Sequence, residues 1–290
     1  MSEKTLADFD FETGEVLLVD KPLTWSSFDV VRKVKNALRI RKIGHAGTLD
    51  PLATGLLILC TGKKTKQIDL IQAQQKEYTG TFRLGQTTPS FDLETPVDAE
   101  RPYEHLTEAD IRAAVAQFVG EITQTPPLYS AVKVNGERAY EVARRGEEAV
   151  IKSKQVTIAE FELTRVELPE IDFRIACSKG TYIRSLARDL GAALHCGAHL
   201  TKLVRTRIGE YRLEDALTMA RIEALRPPRP EGEQSAGREV RPPRRERQPR
   251  PERRTGLEYF QNTHAAPPTD SATSSDSNNP PAAEPGSTEA

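Results

Sequence analysis

Cysteine, methionine and tryptophan are scarce in this chain: three, two and one respectively among 290 residues. Cys60, Cys177 and Cys196 lie far apart and form no CxxC pair. That argues against a zinc site or a disulfide framework, and for buried thiols in a reducing compartment. No apolar run exceeds the five residues from Leu56 to Cys60, far short of a membrane-spanning helix. Met1 to Asp10 is acidic and lacks an apolar stretch, unlike a signal peptide, so a cytoplasmic protein is expected. Neither sign of charge dominates, with 41 Lys and Arg against 42 Asp and Glu. A phosphate-binding P-loop is missing too. Six residues rather than four separate Gly55 from Gly62-Lys63, and Lys64 stands where a magnesium-binding Ser or Thr belongs.

What the chain does have is unevenly placed. Arg32, Lys33, Lys35, Arg39, Arg41 and Lys42 occur with no acid among them; Lys63, Lys64 and Lys66 form a second cluster, and Lys202, Arg205 and Arg207 a third. Any one of these alone reads as a solvated face. The first two, however, flank Gly-His-Ala-Gly-Thr-Leu-Asp-Pro-Leu-Ala-Thr-Gly, residues 44 to 55, as a phosphate-rich ligand would require. In that stretch Gly44, Gly47 and Gly55 permit turns or close approaches, and Pro51 stiffens the chain after Asp50. Asp-Pro with glycines is ordinary turn chemistry, yet a carboxylate on a rigid loop is also well placed to meet a ligand. No second carboxylate or metal-ligand cluster lies near Asp50 in sequence, against a carboxylate-pair hydrolase or a metal site.

Glu15 to Asp20 reads as a buried strand. Ser26 or Ser27 caps a helix to about Leu38, and Leu56 to Cys60 is a core strand. Lys63 to Gln74 reads as an amphipathic helix, and residues 76 to 84 alternate as a strand with Tyr78, Gly80, Phe82 and Leu84 on one face. Thr107 caps a helix to Phe118. A strand over 129–134 turns at Asn135-Gly136 ahead of a short basic helix, Arg138 to Arg145. Residues 155–166 and 171–178 alternate as two antiparallel strands, Thr181 to Leu194 is helical, and Gly197 to Ile208 is a strand region. Mixed elements with strands in the majority predict an α+β fold with a large mixed sheet.

Several segments then carry a resemblance. His45-Ala-Gly-Thr-Leu-Asp50-Pro-Leu-Ala-Thr-Gly55, Lys21-Pro22, Tyr78 with Leu84-Gly85-Gln86-Thr87, Ser178-Lys-Gly-Thr-Tyr182-Ile-Arg184, and Cys196-Gly-Ala-His-Leu200 occur in one order. Together, over roughly residues 14 to 225, they resemble the TruB-type tRNA pseudouridine synthases, which isomerise uridine 55 of the T-loop. Lys21 to Ser27 matches a family segment that packs under the catalytic loop, except that Thr24 replaces its glycine. Thr87 to Pro96 corresponds to a family loop richer in Thr, Asp and Gly, with Asp92 its nearest matching acid. The resemblance implies a pseudouridine synthase fold with a mainly antiparallel sheet flanked by helices. It implies Asp50 as the catalytic group and Arg184 as its electrostatic partner. Tyr78, Tyr182 and Leu203 would enclose the target base, His45 would enter the space vacated when the uridine flips, and Lys21 belongs with the substrate-binding set. No metal or organic cofactor is implied; the partner is tRNA, and a monomer is expected.

From about Arg226 the composition changes. The last 64 residues hold 12 of the 20 prolines and no lysine. Residues 1–226 are expected to form the catalytic domain, and 227–290 a disordered tail, Pro/Arg-rich then acidic, with no PUA module. The competing reading is a non-catalytic tRNA-binding or tRNA-folding protein on the same scaffold, and Asp50 argues against it.

Overall fold

The computed structural model describes residues 5 to 227 apart from 135 and 148. Beyond Pro227, the tail expected to be disordered lies outside the described residues. In chain order the elements are β1 (Val16–Lys21), α1 (Ser27–Ala37), β2 (Ile43–His45), β3 (Ala53–Thr61), α2 (Ile68–Ala73), β4 (Lys76–Leu84), β5 (Gln86–Thr87), β6 (Ala99–Glu100), α3 (Glu108–Ala116) and β7 (Gly120–Gln124). There follow β8 (Lys133–Val134), β9 (Glu137–Arg138), α4 (Ala139–Arg144), β10 (Lys154–Glu167), β11 (Glu170–Cys177), α5 (Ile183–Ala193), β12 (Ala198–Ile208), β13 (Tyr211–Arg212) and α6 (Met219–Ala224).

The expected core strand is β3, and its alternation explains why helices cover both sides. Leu57 and Leu59 pack with α1 and α6 residues such as Val30, Val34 and Ile222. Leu56, Ile58 and Cys60 point the other way, onto Ile71 of α2. A nine-stranded sheet follows the order β1-β3-β12-β4-β11-β10-β7, with β2 and β13 paired at its flank. Every pairing is antiparallel except β3 with β12, where Leu203 lies opposite Ala53. β12 also pairs with β4, setting Leu203 against Gly80 and Arg205 against Tyr78. The start of β3 thus lies beside the middle of β12, and across it the middle of β4. Gly55 is required there: its φ is +94°, and a Cβ would sit 2.5 Å from the Arg205 carbonyl. The larger core lies between the other half of the sheet and helices α3 and α5. The α+β expectation, with a large mainly antiparallel sheet, holds.

Some boundaries differ. The segment expected as one helix from Lys63 to Gln74 is a 3₁₀ stretch, Gly62–Gln67, followed by α2. Its first half has no buried residue, and the Thr65 hydroxyl donates to the Gly62 carbonyl at 2.8 Å. Tertiary packing therefore gives that half no reason to be α-helical. β7 and α6 were not anticipated, since each is short; β7 pairs only with β10.

The loop before β3 is held from several directions. Ser26 caps α1, accepting from Asp29 N–H at 3.1 Å. The adjacent Ser27 hydroxyl is buried and faces the loop. It accepts from Leu49 N–H at 2.8 Å and donates to the Leu49 carbonyl at 3.1 Å. Lys21, fully buried, donates from Nζ to the carbonyls of Pro22, Trp25 and Pro51 at 2.9, 2.6 and 3.2 Å. Arg205, also buried, donates to Leu56, Thr48 and Gly47 carbonyls at 2.8, 3.4 and 3.2 Å. Thr24 N–H donates to Pro51 at 2.9 Å, and Thr24 is itself at φ +69°. A β-branched residue thus sits in a left-handed conformation, where glycine is ordinarily preferred.

Two predictions follow from this clamp. Thr24 is exposed, so little packing opposes relief of its backbone. Thr24→Gly should raise stability by about 1 kcal/mol, seen as a higher urea midpoint; an unchanged or lower midpoint would show the turn to be unstrained. Burial pulls the Lys21 ammonium down to about 8, against the opposing charge of Asp50, and burial pulls Lys76 down to about 8 as well. Both lie below their ordinary 10.5, so between those values the native state binds fewer protons than the unfolded chain. On this account stability rises with pH across that window, and the cost of the buried charges is fully present below 8. Titration by ¹⁵N-lysine NMR should give midpoints near 8 for both. Asp50→Asn should lower the Lys21 midpoint further while leaving Lys76 in place.

Candidate active site

Asp50 emerges from the clamped loop half-exposed, and Arg184 meets it from the first turn of α5. The guanidinium Nη2 lies 2.8 Å from Asp50 Oδ2, and only 5% of the Arg184 side chain is accessible. Arg184 is drawn inward because Ile183, Leu186, Ala187 and Leu190 of the same helix are buried in the core. Its other nitrogens are occupied. Nε is 3.4 Å from Asp92 Oδ2, and Nη1 donates to the Ser90 carbonyl at 3.3 Å. Asp92 is buried in a loop that folds on itself, with Thr88 Oγ1 donating to the Asp92 carbonyl at 2.7 Å and Glu94 N–H donating to Asp92 Oδ1 at 2.9 Å. One buried cation thus bridges two carboxylates, of which only Asp50 reaches toward solvent.

Asp50 and Arg184 stand at the edge of a cleft of about 280 Å³ lined also by Tyr78, Lys76, Ser130, Lys179, Tyr182, Leu203 and Arg205. The lining places two tyrosines and a leucine around the space beside the carboxylate. Burial pushes both the Tyr78 and Tyr182 phenols above their ordinary range, so each stays protonated near neutrality. At Tyr78 the nearby Arg205 charge works against the effect of burial. Tyr182 is the N-cap residue of α5 and is fixed through its backbone. Fully buried Gln124 accepts from Tyr182 N–H at 2.8 Å and donates to its carbonyl at 3.1 Å. The Lys154 ammonium lies 4.8 Å from the Tyr182 ring centroid, a cation–π contact. Lys76 donates to the Gln72 and Gln74 carbonyls at 2.5 and 2.6 Å.

Of the residues singled out in the sequence, Asp50, Tyr78, Tyr182, Arg184 and Leu203 are brought together around one cleft. Lys21 is not part of its lining and lies behind the loop, facing carbonyls. His45 is on β2, opposite Leu59 of β3, and does not line the cleft either. Its Nδ1 is buried without a hydrogen-bond partner among the described residues. Burial and then the Arg205 charge pull its imidazole below the ordinary range, leaving it neutral at neutral pH. The third basic cluster was misjudged as a solvated face: Arg205 is buried, and Arg207 pairs with Glu77 at 3.3 Å. Gln124 and Lys76 were missed, and Asp92 was noted without its role beside Arg184. The two-residue spacing from Leu203 to Arg205 was an available signal that this arginine shares the inward face. Among the described residues no group of three or more His, Cys, Asp or Glu could hold a metal ion.

Residues 35–183 match the model of the TruB family pseudouridylate synthase N-terminal domain. Residues 184–235 match that of the tRNA pseudouridylate synthase B C-terminal domain. The chain is 57% identical over 221 residues to tRNA pseudouridine synthase B of Flavobacterium johnsoniae, covering 74% of this chain and 96% of that one. To the protein of the same name from Opitutus terrae it is 50% identical over 214 residues, covering 74% and 89%. Among solved structures it is similar to a chain of a Cbf5-Nop10-Gar1 complex, with a TM-score of 0.58 and 30% identity. That match covers 75% of this chain and 55% of the other, so this chain spans about half the length of that one. The chain belongs to the TruB family of pseudouridylate synthases, and it is an isomerase.

Proposed function

We propose that this enzyme converts uridine 55 in the T-loop of tRNA to pseudouridine, with Asp50 as the catalytic group. The observation that carries the reading is the 2.8 Å pairing of Asp50 with a buried arginine at the mouth of a cleft walled by Tyr78, Tyr182 and Leu203. The names of the similar bacterial proteins support tRNA as the substrate. Uridine and pseudouridine are isomers, so no electrons and no group need be supplied, and the reaction calls for no cofactor. The C1′–N1 bond breaks, the uracil turns, C1′ joins C5, and the C5 hydrogen leaves as a proton while N1 gains one. The Asp50 carboxylate acts on the ribose, either by attacking C1′ or by removing the 2′ proton to give a glycal.

Arg184 holds the carboxylate in place, and its own rotamer is fixed by Asp92 and the Ser90 carbonyl. Tyr78, Tyr182 and Leu203 keep the detached uracil from escaping while it turns. A uridine inside a stacked loop cannot reach Asp50, so it must leave the stack first. His45, neutral and with an unpartnered nitrogen, is the group we assign to the vacated place. Residues 1–226 form the catalytic domain in this reading, and the enzyme works as a monomer on the T-stem-loop.

Release of tritium from C5-labelled uridine in unmodified T-loop RNA measures the new bond directly. Asp50→Asn should lower that release by about 10³-fold or more while still binding RNA. Release at the natural rate would remove Asp50 from the chemistry. No release from the natural protein on T-loop RNA would overturn the substrate. Arg184→Lys keeps the charge but cannot reach Asp50, Asp92 and Ser90 together, because an ammonium lacks the planar fork. Its kcat should fall by about 10²-fold with KM changed far less. A rise in KM alone would instead make Arg184 a binding group.

A further inference from the structure

A second concave surface lies away from the cleft. Arg39, Arg41, Lys42, Lys63 and Lys66 line a groove of about 630 Å³ in which Glu12 is the sole acidic residue. All five cations are exposed, and none is in an ion pair among the described residues. By contrast, the arginines of β10 and β11 are neutralised. Arg174 contacts Glu77, Glu160 and Glu162, and Arg165 contacts Glu167, Glu170 and Asp172. Unpaired like charges around a concavity repel one another and focus a positive field, an arrangement that suits a polyanion.

The groove is also built rigidly. Gly62 is at φ +48°, and a Cβ there would meet the Glu12 carbonyl at 2.5 Å. Gly62 N–H donates to the Lys42 carbonyl at 3.0 Å and Lys63 N–H to the Thr13 carbonyl at 3.1 Å, binding the three segments of the wall together. Arg39 adds an independent observation. It follows α1 in the left-handed conformation, φ +53°, while Ile40 N–H closes the turn on the Lys35 carbonyl at 3.0 Å. Glycine is the usual residue at this place in such a helix ending. Here an arginine occupies it at a backbone cost and extends the charge of the groove.

Its position relative to the cleft follows from β3, which runs from Ala53 at the cleft to Thr61 at the groove. Eight residue steps of strand span about 26 Å. The geometry points to this groove as a second RNA-binding site, taking backbone phosphates of a tRNA helix that lies beyond the T-loop held at Asp50. This rests on tRNA being the substrate and goes beyond it by separating where the RNA is gripped from where it reacts.

The test compares whole unmodified tRNA with a short T-stem-loop hairpin, using the triple variant Arg41→Gln, Lys42→Gln, Lys63→Gln. On whole tRNA the triple variant should raise KM about tenfold and flatten the slope of log affinity against log salt by about two to three. On the hairpin, kcat and KM should stay within twofold of the natural protein. Arg39→Gly is the companion variant: it should melt at the same or a higher temperature, yet bind whole tRNA several-fold more weakly. Whole-tRNA affinity and salt slope unchanged in both variants would overturn the site. Equal weakening on tRNA and hairpin would overturn it as well, since the groove would then belong to the T-loop contact. Failure of the natural protein to turn over the hairpin would count against the substrate reading alone, because the salt slope on whole tRNA is read from binding.

Discussion

The Asp50 loop is held by charge buried against backbone. Lys21 and Arg205 are each almost wholly removed from water, yet neither has a carboxylate in contact among the described residues; their donors go to carbonyl oxygens, all six of which belong to the Lys21 turn, the Asp50 loop and its exit into β3. A tight loop cannot satisfy such carbonyls with its own N–H groups, and leaving them dry would cost about 1–3 kcal/mol each. A neutral donor could fill one or two of these places. A lysine ammonium or an arginine fork fills three, but only by carrying an unpaired positive charge inside the protein, which is costly unless an anion is near. The anion that acts most on Lys21 is Asp50, whose charge opposes the effect of burial on that ammonium. The loop thus positions Asp50, and the Asp50 charge helps make the buried Lys21 that positions the loop tolerable. Structure and chemistry share one electrostatic balance.

That balance depends on long-range topology. Arg184 arrives from α5, Arg205 from β12 and Lys21 from β1, and the parallel pairing of β12 with β3 is what sets Leu203 and Arg205 beside the start of β3. The antiparallel pairing of β12 with β4 then puts Tyr78 next to Arg205. An all-antiparallel meander would have carried these side chains to separate edges. The crossing of one parallel pair with one antiparallel pair on β12 brings them to a single cleft.

How much of this was legible depended on whether the deciding interaction was local. The α1 cap, the alternation of β3 and β4 and the apolar stripe of α5 are set by neighbours in sequence, and each was found with small errors at its ends. The Asp50 loop was legible through its motif. Arg205 was not, because a run of three cations over six residues looks the same whether its middle member faces water or the core. Its two-residue offset from Leu203 pointed to the inward face, and the partner strands fix it there. Lys63 to Gln74 read as one helix because its charged first half resembles the polar face of one, whereas no core residue is available to stabilise a turn there. At Thr24 the chain adopts a left-handed conformation without a glycine. The Leu49 and Pro51 contacts hold the turn from outside, so the local preference of threonine was outweighed.

Near-neutral net charge, 41 basic against 42 acidic residues, would by itself suggest a poor partner for a polyanion. The structure separates the charges instead of diluting them. On β10 and β11 the arginines are surrounded by glutamates, which leaves those strands with little attraction for phosphate. At the cleft Lys76, Lys179, Arg184 and Arg205 line a wall in which Asp50 is the only carboxylate, with Asp92 behind Arg184. A protein that is uniformly basic binds nucleic acid everywhere and in every orientation. In the function proposed above, neutralising one surface while leaving cations at another would favour orientations in which the RNA backbone runs past Asp50. On that reading, the same acidic residues that make the composition look unremarkable contribute to selecting the productive complex.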